Sequence, residues 1–386
     1  MIRPLSRLAL CALLAWPPAA WASSRLFVPP WHFPPPPKLA SVRAYILVDA
    51  ATGTVIAAHD AHRRLPPASL TKLMTAWLTY RALHRGTIRP DENIPVSVAA
   101  WRTGGSRMFI QPGLPVDVAE LLHGLIIDSG NDAAVALAQA VAGSRSGFVA
   151  LMNAAARQLG LRGTHYSDVD GLPAPDLHTT SYDIALLSLD LLRRDPGILR
   201  ISAEKSYRYN HITQASWNPL LFHDPWVDGL KTGHTSEAGY CMDETAVHDG
   251  RRLIAVVMGG RNWRGAMNAA DTLLHWGFRA TRTLTLLPAG ATIGFLHLPA
   301  DSPENVPYGI ARPLLATVPR TFVRSSLIPS LKPEVLRQRP IRKGMTVGEL
   351  ILHERGQPIA RIVALARGDT HPASWWTLLL RRLRTL

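Results

Sequence analysis

The apolar pattern of the chain changes period twice, and this order limits the fold more than any other feature. Residues 44–49, Ala-Tyr-Ile-Leu-Val-Asp, a turn at Ala51-Thr52-Gly53, and residues 54–58, Thr-Val-Ile-Ala-Ala, read as two strands of a hairpin. Helical spacing follows over residues 70–85, 116–127, 132–141, 148–159 and 181–192. The first of these is closed by Gly86, and the second opens with Asp117 and Glu120 in its first turn. From Val227 the texture returns to strands; residues 253–258 form a continuous apolar run ending in Gly259-Gly260, and residues 271–276 read as helix. Strands that open and close a helical block are expected to meet in one sheet. The fold class is therefore α+β, an antiparallel sheet packed by helices. Beyond Arg282, short strands broken by Pro and Gly, at 291–298, 314–318 and 359–364, predict a small all-β domain.

The first 22 residues stand apart. Arg3 and Arg7 precede an apolar run from Leu8 to Trp16 and the small-x-small site Ala20-Trp21-Ala22, the pattern of a secretory signal peptide. Residues 23–40 carry Pro34-Pro35-Pro36-Pro37 and read as an extended arm or linker, since proline supplies no N–H for a ladder. The expected organisation is a signal peptide at 1–22, the arm at 23–40, a principal domain at 41–280, the β domain at 281–370 and a tail at 371–386. With Cys11 in the signal peptide, the remaining Cys241 has no partner for an internal disulfide and reads as a core residue.

Of 42 basic residues 36 are Arg and 6 Lys, and residues 281–386 hold 15 basic against 6 acidic side chains. Such a surface suits an anionic partner. The basic excess has no interleaved aromatic platform and the chain reads as exported, which argues against nucleic acid. The histidines are scattered without ligand spacing and there is no Gly-rich phosphate loop, so neither metal nor cofactor is expected.

Against the arginine bias, the lysine in Pro66-Pro67-Ala68-Ser69-Leu70-Thr71-Lys72 stands out. A serine hydroxyl at its free pKa is a weak nucleophile. A lysine one helical turn away becomes its base once burial favours the neutral amine, whereas arginine cannot be deprotonated. Taken alone, Ser69 also reads as an ordinary helix cap. Two further motifs raise the pair above chance: Ser129-Gly130-Asn131 at a helix junction and Lys231-Thr232-Gly233 at the start of a strand.

The trio, in this order and separation, resembles the low-molecular-mass penicillin-binding proteins, the D-alanyl-D-alanine carboxypeptidases. Supporting stretches are Asp128 to Asp132, Val227 to Thr235, Val257 to Arg261 and the β-rich C-terminal part. The resemblance implies a β-lactamase/DD-peptidase-like domain, peptidoglycan stem peptides as substrate and β-lactam antibiotics as acylating ligands. It implies Ser69 as nucleophile, Lys72 as base, Ser129 as proton relay, Asn131 bonded to Lys72 and the substrate amide, and Lys231 as the positive wall. Thr232, Gly233, His234 and Thr235 are implied as substrate-binding residues, with the N–H groups of Ser69 and His234 as the oxyanion hole. The arginine that often follows the Gly-Gly turn in the family is here Ala266, so Arg261 or Arg264 is the expected substitute. Asp170 occupies a position often held by histidine. Asp243 and Glu244 fall where small apolar residues are usual, and are expected at a solvent-facing or functional edge. No Glu-x-x-x-Asn segment aims a deacylating water between the second and third motifs, so a penicilloyl adduct should leave slowly.

The tail, Ser374-Trp-Trp-Thr-Leu-Leu-Leu-Arg-Arg-Leu-Arg-Thr-Leu386, is too short to span a bilayer and suits a helix lying on an anionic membrane surface. The expected location is periplasmic, peripherally attached to the inner membrane.

Overall fold

The structure is a computed structural model that describes residues 25–323, 327–333, 340–354 and 356–383. The expected signal peptide, and the last residues of the tail, lie outside the described residues. The hairpin Ala44–Asp49 and Val55–His59 joins the strands Arg251–Gly260, Gly239–His248 and Val227–Thr235 in one antiparallel sheet. Its order runs Val55–His59, Ala44–Asp49, Arg251–Gly260, Gly239–His248, Val227–Thr235, so the two ends of the principal domain pair at the sheet centre. The sheet-plus-helices architecture and the following all-β part agree with the α+β expectation.

Strand alternation divides the apolar residues between two cores. Tyr45, Leu47, Leu253, Ala255 and Val257 face the helix Trp263–Ala280. Ile46, Val48, Ile254, Val256 and Met258 face the helical block, with Leu70, Leu73, Trp77 and Phe148 among their cluster. Each fully buried Leu or Ile contributes about 1.5–3 kcal/mol from desolvation, which makes the two-sided sheet the rigid floor beneath the cleft.

The helices start where side chains satisfy their free N–H groups. Asp117 and Glu120 form a reciprocal capping box, Thr180 accepts from Asp183 N, and Asn262 accepts from Gly265 N. The helix Trp263–Ala280 is longer than the expected 271–276 because its glycines serve packing. A Cβ on Gly277 would stand 2.6 Å from Leu47 Cδ2, so the residue that weakens the helical pattern is the one that lets the helix sit on the sheet. The short hairpin Ser206–Tyr209 and Ile212–Ala215 carries no strong apolar alternation and went unforeseen.

Beyond Thr281, the strands Gly294–His297, Asn305–Gly309, Gln357–Ala366, Thr346–Glu354 and Leu327–Pro333 form a second sheet in that order. Asp49 ties the two parts together: its Oδ2 accepts from Arg251 Nε at 2.8 Å and from Thr283 Oγ1 at 2.6 Å. The proline-rich arm is more than a spacer. Phe27 bridges to Thr54, and Phe33 and Leu39 pack on the sheet cluster. Trp31 donates to Thr317 O at 2.9 Å and packs on Phe322, so the arm fastens the β part to the main sheet.

Candidate active site

Ser69 sits in a 3-10 turn, Ala68–Thr71, and the α-helix proper begins at Lys72. The turn is strained at its entry, with Ala68 at φ +48°, in the region L residues seldom occupy. Two glycines allow other backbone segments to reach it. A Cβ on Gly171 would stand 1.8 Å from Ala68 O, and one on Gly233 would stand 2.8 Å from Ser69 N. No side chain fits at either position.

Lys72 is fully buried, and its Nζ donates to Ser69 Oγ at 2.8 Å and to Asp170 O at 2.7 Å. Burial lowers its pKa to about 8, opposed by the carboxylates of Asp170, Asp168 and Asp132. A lysine so placed is partly neutral near physiological pH, the state a base needs. Asp170, which stands where the resembled family often has histidine, holds Lys72 directly through its backbone carbonyl. Its own carboxylate is buried, accepting from Leu172 N at 3.1 Å and lying 3.8 Å from Arg145.

The opposite wall comes from the Ser129-Gly130-Asn131 junction, with Ser129 at φ +55°. It is braced by the glycine-rich segment before it. Ser106 Oγ donates to Ser129 O at 2.7 Å, and the Asp132 carboxylate accepts from the N–H groups of Met108, Phe109 and Ile110. Asn131 departs from expectation. Its Nδ2 donates to Gly104 O at 2.6 Å, and among the described residues no hydrogen bond joins it to Lys72. The helix it begins directs it toward the Gly104 loop, so here it shapes the wall.

The third side is the strand Val227–Thr235. Lys231 is buried and donates to the carbonyl of Thr232 at 2.9 Å. Burial, and next the charge of Lys72, hold its pKa well below the usual lysine range, while Glu244 and Asp128 act the other way. Thr232 lines the cleft and donates to Trp217 O at 3.4 Å; His234 stacks on Tyr240 at its mouth. Thr235 is not among the lining residues, and its hydroxyl accepts from Ala238 N at 3.0 Å, closing the turn after the strand.

Ser69, Gly105, Ser106, Ser129, Thr232, Gly233 and His234 thus meet around one cleft of about 810 Å³, walled further by Trp217, Phe222, Tyr240 and Trp263. Arg261 does not join them. It is exposed on the turn before Trp263, its neighbour Arg264 is exposed too, and neither lines the cleft; the tryptophan between them does. Ala266 is fully buried in the helix. The aromatic wall, and Trp217 above all, escaped sequence reading because the segment has no periodicity. The signal present was an isolated Trp in a polar loop.

Asp243 and Glu244 are likewise not at an exposed edge. Both are completely buried. Ser188 Oγ donates to Asp243 Oδ2, and Asn218 Nδ2 donates to Glu244 Oε2 at 2.7 Å, while the second oxygen of each has no hydrogen-bond partner. Burial raises the Asp243 pKa to about 7 and that of Glu244 well above the carboxylate range. Asp128 joins them, with neither carboxylate oxygen hydrogen-bonded and its pKa raised to about 7 by burial and by Asp132. Cys241 is buried as expected.

With the geometry in place, comparison with known proteins agrees with it. The S11 peptidase family profile, D-alanyl-D-alanine carboxypeptidase, matches residues 33–262. The chain is 38% identical over 341 residues to the D-alanyl-D-alanine carboxypeptidase DacD of Salmonella typhimurium, covering 85% of this chain and 86% of that protein. It is 38% identical over 324 residues to DacC of Escherichia coli, covering 82% of this chain and 81% of the relative. Among solved structures, penicillin binding protein 5 of Haemophilus influenzae superposes with a TM-score of 0.79 at 32% identity, covering 87% of this chain and 99% of that one. Penicillin binding protein 6B of Escherichia coli gives 0.73 at 35% identity, covering 87% and 98%. The three motifs, the cleft they enclose and the extent of these matches lead to one conclusion: the chain belongs to the D-alanyl-D-alanine carboxypeptidase family of serine peptidases.

Proposed function

We propose that the cleft removes the terminal D-Ala from peptidoglycan stem peptides through an acyl-enzyme on Ser69. The observation that carries the assignment is the 2.8 Å contact between Lys72 Nζ and Ser69 Oγ, made by a lysine that burial brings down to about 8. Neutral Lys72 takes the hydroxyl proton as Ser69 Oγ bonds to the carbonyl carbon of the D-Ala-D-Ala peptide. The C–N bond then breaks as Ser129 gives its hydroxyl proton to the leaving amine and takes up the proton held by Lys72, which returns to its neutral form. Water attacks the ester carbonyl, neutral Lys72 accepts its proton and delivers it to Ser69 Oγ as the ester C–O bond breaks, which restores the hydroxyl and frees the acid. The N–H groups of Ser69 and His234 stabilise the oxyanion. Thr232, which lines the cleft, receives the terminal carboxylate, and Gly233 lets the strand lie against the nucleophile. Asn131 acts by holding the Gly104 loop, and Lys231, pushed toward its neutral form by burial, braces the far wall through its bond to Thr232 O. β-Lactams enter the same cleft and acylate the same oxygen.

The charge and the tail support an address. We place the protein in the periplasm, exported by residues 1–22 and resting on the anionic inner-membrane surface through the helix Trp375–Leu383. That helix has no buried residue, and Trp375 and Trp376 are 64% and 59% exposed. Among the described residues no single helix is long and apolar enough to cross a membrane. Arg381 is drawn to the β part, donating to Pro299 O at 2.7 Å and pairing with Glu304 at 3.1 Å. Tryptophan and leucine side chains are left facing outward.

The purified enzyme should release free D-Ala from a diacyl-D-Ala-D-Ala substrate and far less from the C-terminal amide. Equal rates on acid and amide would show that the carboxylate is not read, and would favour cleavage of cross-links in place of trimming.

A further inference from the structure

Glu244 lies on the strand Gly239–His248, paired with Leu230 in the register that sets Asp243 opposite Lys231. Among the described residues, the one hydrogen bond of its carboxylate does not stay within the sheet. It goes to Asn218, whose Oδ1 accepts from Leu220 N at 3.0 Å and whose own N–H donates to Ser216 Oγ at 3.2 Å. Asn218 is therefore the knot of the loop between Ser216 and Phe222, and Glu244 is where that knot is tied to the sheet.

The same loop makes one end of the cleft. Ser216, Trp217, Pro219 and Phe222 line it. Trp217 and Phe222 are 55% and 49% exposed, whereas Leu220 and Leu221 point the other way into the core with Ala246 and Leu273. Such a loop can present its aromatic rings only if its polar backbone is fixed from behind. A second tie lies just past it, where His275 meets Asp224 at 3.1 Å. Just before the first tie, Thr232 donates to Trp217 O, which couples the loop to the strand beside Ser69.

We propose that Glu244 is a positioning residue for substrate: through Asn218 it fixes the Ser216–Phe222 wall, and so sets how tightly the stem peptide is held against Trp217. The residue acts as a hydrogen-bond acceptor in a dry site. Its side chain is fully buried, its second oxygen has no partner, and Asp243 is its neighbour, so the neutral acid suits the position. The wall touches bound peptide and not the reacting atoms. Its loosening is expected in KM, while acylation of Ser69 is spared.

This inference rests on the carboxypeptidase reading, and its test separates the two. Wild type, Glu244→Gln, Glu244→Leu and Asn218→Ala are compared on a diacyl-D-Ala-D-Ala substrate, with competent sites counted by labelled penicillin. Failure of wild type to take up penicillin or release D-Ala would overturn the carboxypeptidase reading itself. With that reading intact, Glu244→Leu and Asn218→Ala should each raise KM by about fivefold, the scale of one lost hydrogen bond, with kcat per titrated site within about twofold. Their double variant should be no worse than either, since both cut one link. Glu244→Gln keeps an acceptor for Asn218 and should retain the wild-type KM. Quenching of Trp217 fluorescence by iodide should rise in the two disrupted variants and not in Glu244→Gln. The proposal is overturned if KM stays at the wild-type value in Asn218→Ala and Glu244→Leu. It is equally overturned if Glu244→Gln loses as much as Glu244→Leu.

Discussion

Gly233 and Ser69, far apart in sequence, meet so closely that a Cβ on the glycine would stand 2.8 Å from the backbone nitrogen of the serine. The Lys-Thr-Gly motif therefore ends in glycine for a steric reason: the strand carries Lys231 and Thr232 past Ser69 at a distance no side chain permits. Gly233→Ala should leave the fold intact, because the rest of the strand is unaltered, yet displace the Ser69 N–H from an oxyanion. Removal of one such donor costs about 10²–10³ in rate. The acylation rate with labelled penicillin, alongside an unchanged far-UV circular dichroism spectrum, measures it.

With Lys72 as the proposed base, the rate should depend on pH. Burial lowers its pKa to about 8, and only the neutral amine accepts a proton, so activity follows the deprotonated fraction. The second-order acylation rate should rise about tenfold per pH unit below 8 and level off above it. Lys72→Arg should be as inactive as Lys72→Ala, since the guanidinium retains charge but not basicity. A flat profile, or retained acylation in the arginine variant, would mean that Lys72 supplies charge alone.

Much of this arrangement was legible in the sequence, and the losses have physical causes. The change of apolar period gave the shared sheet, because Ile46, Val48, Ile254 and Val256 alternate with residues facing the helix behind. The motifs brought Ser69, Lys72, Ser129 and Lys231 toward one place. What pattern could not provide was orientation. Asn131 turns to Gly104 O, and Arg261 faces solvent, because each is set by the loop it packs on and not by its spacing from the motif. Asp243 and Glu244 broke an apolar strand and were expected at its edge. Their partners, Ser188 and Asn218, belong to other segments that no local signal connects to them.

The buried acids carry a stability cost that depends on pH. Asp243 has its pKa raised to about 7, above the value of an unfolded aspartate, with desolvation as the cause. The folded protein thus prefers the protonated form. Stability from this group is fully present below the unfolded pKa near 4 and is lost as pH rises through about 7. Asp243→Asn preserves an acceptor for Ser188 and cannot ionise. Its melting temperature should exceed that of wild type at pH 8 by several degrees and match it at pH 4, as measured by calorimetry. A deficit at pH 8 would show the ionised carboxylate to be stabilising.

The tail should govern location without touching chemistry. Truncation before Ala373 removes the exposed Trp375, Trp376 and leucines of the last helix. D-Ala release should be unchanged while binding to acidic vesicles is lost. Trp375→Ala with Trp376→Ala should weaken attachment more than high salt does, since aromatic burial is not screened. Continued sedimentation of the truncated protein with membranes would refute the anchor.

The nucleophile itself is open to the plainest measurement. Intact-protein mass spectrometry after exposure to a labelled penicillin should show one added penicilloyl mass, persisting through the slow release expected of this site. Peptide mapping should place it on Ser69, and Ser69→Ala should show none. An adduct on another residue, or an adduct that survives Ser69→Ala, would contradict the assignment of Ser69 and Lys72 as the reacting pair.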